Sequence, residues 1–222
     1  MVSVGTARPT VDDSDALMRA IAWIKAHRQA SLWVAAIVVV GGGLVWWNAL
    51  STRQSEQNAG RALVAARLAF ESRNFPVASG ELSRIVENFS GTHAAQEANL
   101  LLAQVRLAQG QHQTAIELLR RFAPGASRDF RAQAYGLLGA AYENVAHPKE
   151  AAEAYQQGAE AARMPFLKAQ FLSDAGRAWT AAADTAKAVA AYQEIVTKLD
   201  STNTVVEARV RLGELTRGAI TK

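Results

Sequence analysis

Chemistry needs side chains that attack, ionise near neutrality or hold a metal, and in this chain they are few and scattered. The four histidines, His27, His93, His112 and His147, are isolated, and three of them sit near expected turns. The absence of cysteine excludes disulfides, thiolate metal sites and an acylated-cysteine anchor. No His-Glu-x-x-His, no glycine-rich phosphate loop ending in Lys-Ser/Thr, and no Gly-x-Ser-x-Gly occurs. Glu150 and Glu153 share one helix face, where solvation explains them better than acid–base work. The expectation is a protein that is not an enzyme, with no cofactor, metal or small-molecule substrate. The formal charge is +4. Its basic and acidic residues alternate without a basic block, which argues against a nucleic-acid surface. Binding to other proteins remains.

The elements that would carry such binding are repeated. Tyr135-x2-Leu138-Gly139-x2-Tyr142 is followed by Ala151 and then, after three intervening residues, Tyr155. Aromatic and leucine positions three and four apart lay one stripe on a helix, while Gly139 and Ala151 are small enough for a second helix to approach. Ala78, Ala115, Ala151 and Ala188 fall 37, 36 and 37 residues apart. Each is followed at the same interval by a large side chain, Leu82, Leu119, Tyr155 and Tyr192. Gly176-x2-Trp179 repeats Gly139-x2-Tyr142. The second unit has Leu102-Ala103-x2-Arg106, and the first has only Ala65, Ala66 and Ala69. This spacing resembles the tetratricopeptide repeat (TPR), a pair of antiparallel helices that buries its apolar face only when stacked on neighbours. Turns are expected at Phe75-Pro76, Gly110-Gln111, His147-Pro148 and Ala183-Asp184 within the hairpins, and at Ser90-Gly91-Thr92 and Ala123-Pro124-Gly125 between them. Thr92 is expected to cap the helix after it. Asp200–Thr204 reads as a polar break. The helix 205–217, with Val206, Val210 and Leu215 as its apolar stripe, would close the open end.

In such a stack the first helix of each hairpin lines the concave face. Helix phase nominates Gln104, Gln133, Glu143, Asn144, Gln170 and Arg177 as the polar residues a partner segment would meet there. Ala140 stands where a carboxylate-clamp repeat would place its key asparagine, which argues against that clamp. Tyr135, Tyr142, Tyr155, Trp179 and Tyr192 read as core positions rather than ligand platforms.

Residues 31–50, SLWVAAIVVVGGGLVWWNAL, are 20 residues without a charge. At about 1.5 Å per residue they would span about 30 Å, one bilayer core. Trp33 lies near one end and Trp46 and Trp47 near the other, where amphipathic rings favour the headgroup zone, as Trp23 would upstream. The run is long for a secretory leader and lacks an Ala-x-Ala close, so an uncleaved signal anchor is expected. Arg19, Lys25 and Arg28 before it outweigh Arg53 and Arg61 after it, which favours a cytoplasmic N-terminus. Gly41, Gly42 and Gly43 are small enough to seat a partner helix. Residues 1–13 lack apolar period, and a short amphipathic helix from Ser14, with Leu17, Ile21 and Ile24, precedes the span.

The expectation is all-α: residues 1–30 a cytoplasmic segment, 31–50 one transmembrane helix, and 51–222 a TPR-like α-solenoid of about four hairpins plus a C-terminal capping helix. This layout, with Trp23-x-Lys25-x-His27, a span ending in a tryptophan pair and the segment Leu102–Gly110, resembles the YfgM-like family, the ancillary subunit of the SecYEG translocon. The resemblance implies a bacterial inner-membrane protein with periplasmic repeats that partners translocon subunits and chaperones in protein export. An accessory structural subunit of another membrane complex is the alternative. The family offers no catalytic residues.

Overall fold

A computed structural model describes Met18, Trp23 and residues 28–199 and 203–216. Apart from Met18 and Trp23, the helix expected from Ser14, with Leu17, Ile21 and Ile24, lies outside the described residues. The chain divides into two compact units, residues 1–53 and 54–222.

Helix α1, Arg28–Glu71, carries a helical backbone through the whole apolar run of the first unit. Of the side chains there that are described, Trp33, Val39, Val40, Trp46 and Trp47 are exposed. A Cβ added at Gly41, Gly42 or Gly43 would meet open space. Among the described residues no helix is long and apolar enough to cross a membrane. Most side chains of the expected span 31–50 lie outside those residues.

In the second unit, helices alternate with short turns. They are α2 (Phe75–Asn88), α3 (His93–Ala108), α4 (His112–Phe122), α5 (Arg128–Asn144), α6 (Pro148–Ala161), α7 (Pro165–Ala181), α8 (Thr185–Lys198) and α9 (Val205–Thr216). The end of α1 pairs with α2, then α3 with α4, α5 with α6 and α7 with α8. Ala78, Ala115, Ala151 and Ala188 are all fully buried, and Leu82, Leu119, Tyr155 and Tyr192 are at most 5% exposed. The repeat register is therefore a packing register.

The backbone repeats with the same period. Arg73, Gly110, Ala146 and Ala183 all adopt left-handed conformations. After each, Asn74, Gln111, His147 and Asp184 donate their N–H to the carbonyls of Ala69, Arg106, Tyr142 and Trp179, at 2.8–3.0 Å. This is the Schellman closure, which satisfies a carbonyl the helix end would otherwise orphan. It appears intact in the first hairpin, the one with the weakest side-chain signature.

Two expectations shift. The turns expected at Phe75-Pro76 and His147-Pro148 lie just upstream, and both prolines sit in the first turn of a helix. Proline fits there because its missing N–H has no intrahelical partner and its φ is already helical. In α9 the buried residues are Val205, Ala208 and Leu212, whereas Val206 and Val210 are exposed. Two valines four apart define a stripe equally well on either side of so short a helix. The side carrying small Ala208 packs against α8.

Helix ends are tied across hairpins. The Glu56 carboxylate of α1 accepts the backbone N–H of His93 (3.0 Å) and Ala94 (3.2 Å) at the start of α3. Thr92 Oγ1 accepts from Ala95 at 3.0 Å, the expected cap. One hairpin later, the Gln96 side chain accepts the Ser127 N–H at 2.7 Å.

Candidate protein-binding site

The face shared by the first helices carries side-chain ties from one hairpin to the next. Arg67 of α1 pairs with Glu97 of α3. Arg177 of α7 pairs with Glu143 of α5 through two nitrogens, the longer contact being 3.2 Å, and with Asp174 at 3.1 Å. Tyr155 Oη of α6 donates to Glu143 at 2.9 Å, and Gln170 donates to Asp174 at 3.3 Å. Burial first, and then this bond to Glu143, pushes the Tyr155 phenol above the ordinary tyrosine range. The hydrogen bond to Glu143 likewise raises the Arg177 guanidinium above its ordinary value.

Three of the six nominated residues, Glu143, Gln170 and Arg177, are thus joined in one polar chain. Gln133 and Asn144 are exposed on the same helix as Glu143, and Gln104 is half-buried on α3. Sequence reasoning missed Asp174, which joins Gln170 to Arg177, and the Arg67–Glu97 pair. Spacings of four and three residues along α7 were the available signal for Asp174.

Beneath this face, glycines make room for rings. A Cβ at Gly139 would stand 2.6 Å from the Tyr155 ring, and one at Gly176 would stand 2.6 Å from the Tyr192 ring. Phe171 fills the space over Gly136 and lies 3.3 Å from a Cβ placed on Gly158. The expected close approach at Gly139 therefore admits an aromatic side chain. Where the partner is leucine, in the two earlier hairpins, the equivalent position holds buried Ala66 or Ala103. Tyr155, Trp179 and Tyr192 are core residues as expected, but Tyr135 and Tyr142 are half-buried and reach a surface depression.

The second helices bound a different set of depressions. One of about 360 Å³ has Tyr135, Tyr142 and Leu138 as its floor and Arg120, Glu150 and Glu153 on its walls. A smaller one of about 190 Å³ repeats it one hairpin later, with Leu172, Ala175 and Trp179 below and Gln156 and Lys187 above. There the Lys187 ammonium lies 4.0 Å from the Trp179 ring centroid, a cation–π contact. Among the described residues no group of His, Cys, Asp or Glu is arranged to hold a metal ion.

Comparison with known proteins follows the same register. Residues 58–171, just over half of the chain, match the model of the tetratricopeptide repeat-like domain. The chain belongs to that family. Its TPR-like helices superpose on the nearly identical TPR-like repeats of a Podosopora anserina kinesin light chain candidate, with a TM-score of 0.56, 18% identity and coverage of 73% of this chain and 87% of that one. The MamA protein is similar at a TM-score of 0.57 and 18% identity, over 72% of this chain and 81% of its own. At these identities the likeness is one of fold. No curated protein sequence resembles this one closely enough to count as a match. The tetratricopeptide repeat-like fold is that of a protein-interaction module, built to present helix faces. The family match ends at residue 171, and the packing register continues past it through α7 and α8, where Gly176 and Tyr192 repeat Gly139 and Tyr155.

Proposed function

We propose that this chain is a membrane-held TPR subunit that gathers other proteins at a bacterial inner membrane, as a scaffold of the protein-export translocon and its periplasmic chaperones. The observation that carries the reading is a sequence adjacency. A TPR-like domain over residues 58–171 begins eight residues after a run of 20 uncharged residues with tryptophans at both ends. The side chains described in that run support it. Trp33 is 72% exposed, Val39 72%, Val40 61%, Trp46 67% and Trp47 72%. Large apolar side chains left in the open along one helix call for lipid or a partner. The flanking charges favour an N-terminus in the cytoplasm, with the repeats then in the periplasm. The span enters lipid, with Gly41–Gly43 available to a partner helix, and the first-helix face meets an extended segment of a client. Nothing in the reading calls for a small-molecule substrate or nucleic acid.

The test is capture from native membranes in mild detergent through a tag after Lys222, with mass spectrometry of the co-purifying chains. Translocon subunits and periplasmic chaperones at near-stoichiometric yield are expected. A different, fixed set of membrane subunits would instead make the protein a structural component of that complex. Recovery in the soluble fraction would remove the membrane reading altogether.

A further inference from the structure

A third depression, of about 580 Å³, lies between the start of α5 and the end of α6, and three arginines, Arg128, Arg131 and Arg163, line it. The equivalent place one hairpin later is closed by an ion pair. Lys168, which repeats Arg131, holds Glu194, which repeats Gln157, at 2.8 Å. In the third hairpin the acid is an amide, Gln157, so the positive charge of Arg131 lacks the carboxylate that its counterpart has. Arg131 is nevertheless fixed in place, because Nε and Nη2 donate to the Ala126 carbonyl at 3.0 and 2.8 Å. Among the described residues its remaining nitrogen, Nη1, donates to no protein group. Among the described residues the ion pair of Arg163 is an exposed contact of 3.7 Å with Asp129. Among the described residues no ion pair involves Arg128.

The depression does not stop there. Tyr135 and Gln157 line both it and the neighbouring one, whose far wall carries Glu150 and Glu153. Glu153 and Ala161 stand eight residues apart on α6, about 12 Å at helical rise, and Arg163 follows two residues past the helix end, a stretch that an extended peptide crosses in about five residues. The trough therefore has a net positive end, where three arginines outnumber Glu160, an aromatic middle, and a net negative end, where Glu150 and Glu153 outnumber Arg120. A free phosphate or an anionic headgroup suits only the first, and Glu160 on its rim opposes a multiply charged anion.

We propose that this trough docks an extended segment of a partner protein, with one or two carboxylates at Arg128, Arg131 and Arg163 and a basic side chain toward Glu150 and Glu153. The site is separate from the first-helix face. It rests on reading the chain as a protein-binding module and is independent of the membrane placement.

The test uses the full chain in detergent and fluorescence anisotropy with a labelled octapeptide carrying two aspartates at one end and two lysines at the other. Saturable binding is expected. An otherwise identical peptide with asparagines for the aspartates should bind about tenfold more weakly, and so should the Arg128→Gln/Arg163→Gln protein. Arg177→Ala, on the first-helix face, should leave the affinity unchanged. Both arginines are exposed, so the melting temperature of the double variant should match the parent and separate lost binding from lost fold. No saturable binding, or equal binding of the two peptides, would overturn the proposal. Displacement of the peptide by equimolar inorganic phosphate would overturn it, as would arginine-dependent binding of the chain to phosphatidylglycerol vesicles in place of the peptide. Failure of membrane capture with intact peptide binding would sink only the export reading.

Discussion

Gly139 and Tyr155 show how volume is balanced across one helix pair. The ring occupies the space that a Cβ on residue 139 would need, while the two earlier hairpins pair alanine with leucine at these places. Gly139→Ala should cost about 1–3 kcal/mol through overpacking, and Tyr155→Leu about 1–3 kcal/mol through the void it opens. Combined, they recreate the Ala103 and Leu119 arrangement. Urea unfolding of the four proteins in the cycle should show a coupling of at least about 1 kcal/mol in favour of the double variant. A second residue-scale outcome concerns pH. The hydrogen bond from Lys168 holds the Glu194 carboxyl below its ordinary value of 4.5. A depressed carboxylate stabilises the fold above that ordinary value, and the contribution is lost as the pH falls through the depressed one. The pair is partly exposed, so its worth is about 0.2–1 kcal/mol. Lys168→Met should lower stability at pH 7 by that amount, and the difference should fade as the pH falls through the depressed value, as read from urea midpoints. The sequence singled out Gly139, Ala151 and Tyr155 by spacing alone, because packing register is written in residue size. It missed Asp174, because helix phase shows which polar side chains share a face but not which of them tie together.

At the scale of elements, the hairpin turns carry the repeat most faithfully. Arg73, Ala146 and Ala183 are left-handed with φ of 56°, 57° and 58° where only Gly110, at 72°, has the residue suited to it. An L-residue there costs about 1–2 kcal/mol, against about 0.5–1 kcal/mol for the extra freedom of glycine in the unfolded chain. Ala146→Gly and Ala183→Gly should each stabilise by about 0.5–1 kcal/mol in thermal unfolding; a loss of stability would mean that the turn is set by something other than φ. At the other end of the hairpin, Glu56 holds two N–H groups of α3. Glu56→Ala should cost about 0.5–2 kcal/mol and raise amide exchange at His93 and Ala94 before the rest of the helix. These caps were partly legible. Thr92 precedes its helix and announces itself, whereas Glu56 acts from the previous hairpin, and no local pattern points to a long-range cap. The phase of α9 was misread for a related reason. In a helix of three turns with valines on two sides, the neighbour and not the pattern decides which side is buried.

At the scale of the whole molecule, four hairpins in constant register make a module whose first-helix and second-helix faces are chemically different. The first-helix face bears the polar chain through Glu143, Arg177, Asp174 and Gln170; the second-helix side bears the arginine-lined trough. Partner identity is not legible in sequence, since a repeat surface recognises by scattered polar groups whose meaning depends on what meets them. The central claim is that the first-helix face engages client proteins at a membrane. It is tested most directly by photo-crosslinking in living cells, with a photoreactive amino acid placed at Gln133 or Asn144, which are exposed there, and at Glu87, exposed on the second helix of the first hairpin. Discrete adducts are expected from Gln133 and Asn144, recovered with the membrane fraction and containing translocon or chaperone chains, and none from Glu87. Adducts from Glu87 alone, or from none of the three in a chain that is folded and membrane-bound, would contradict it.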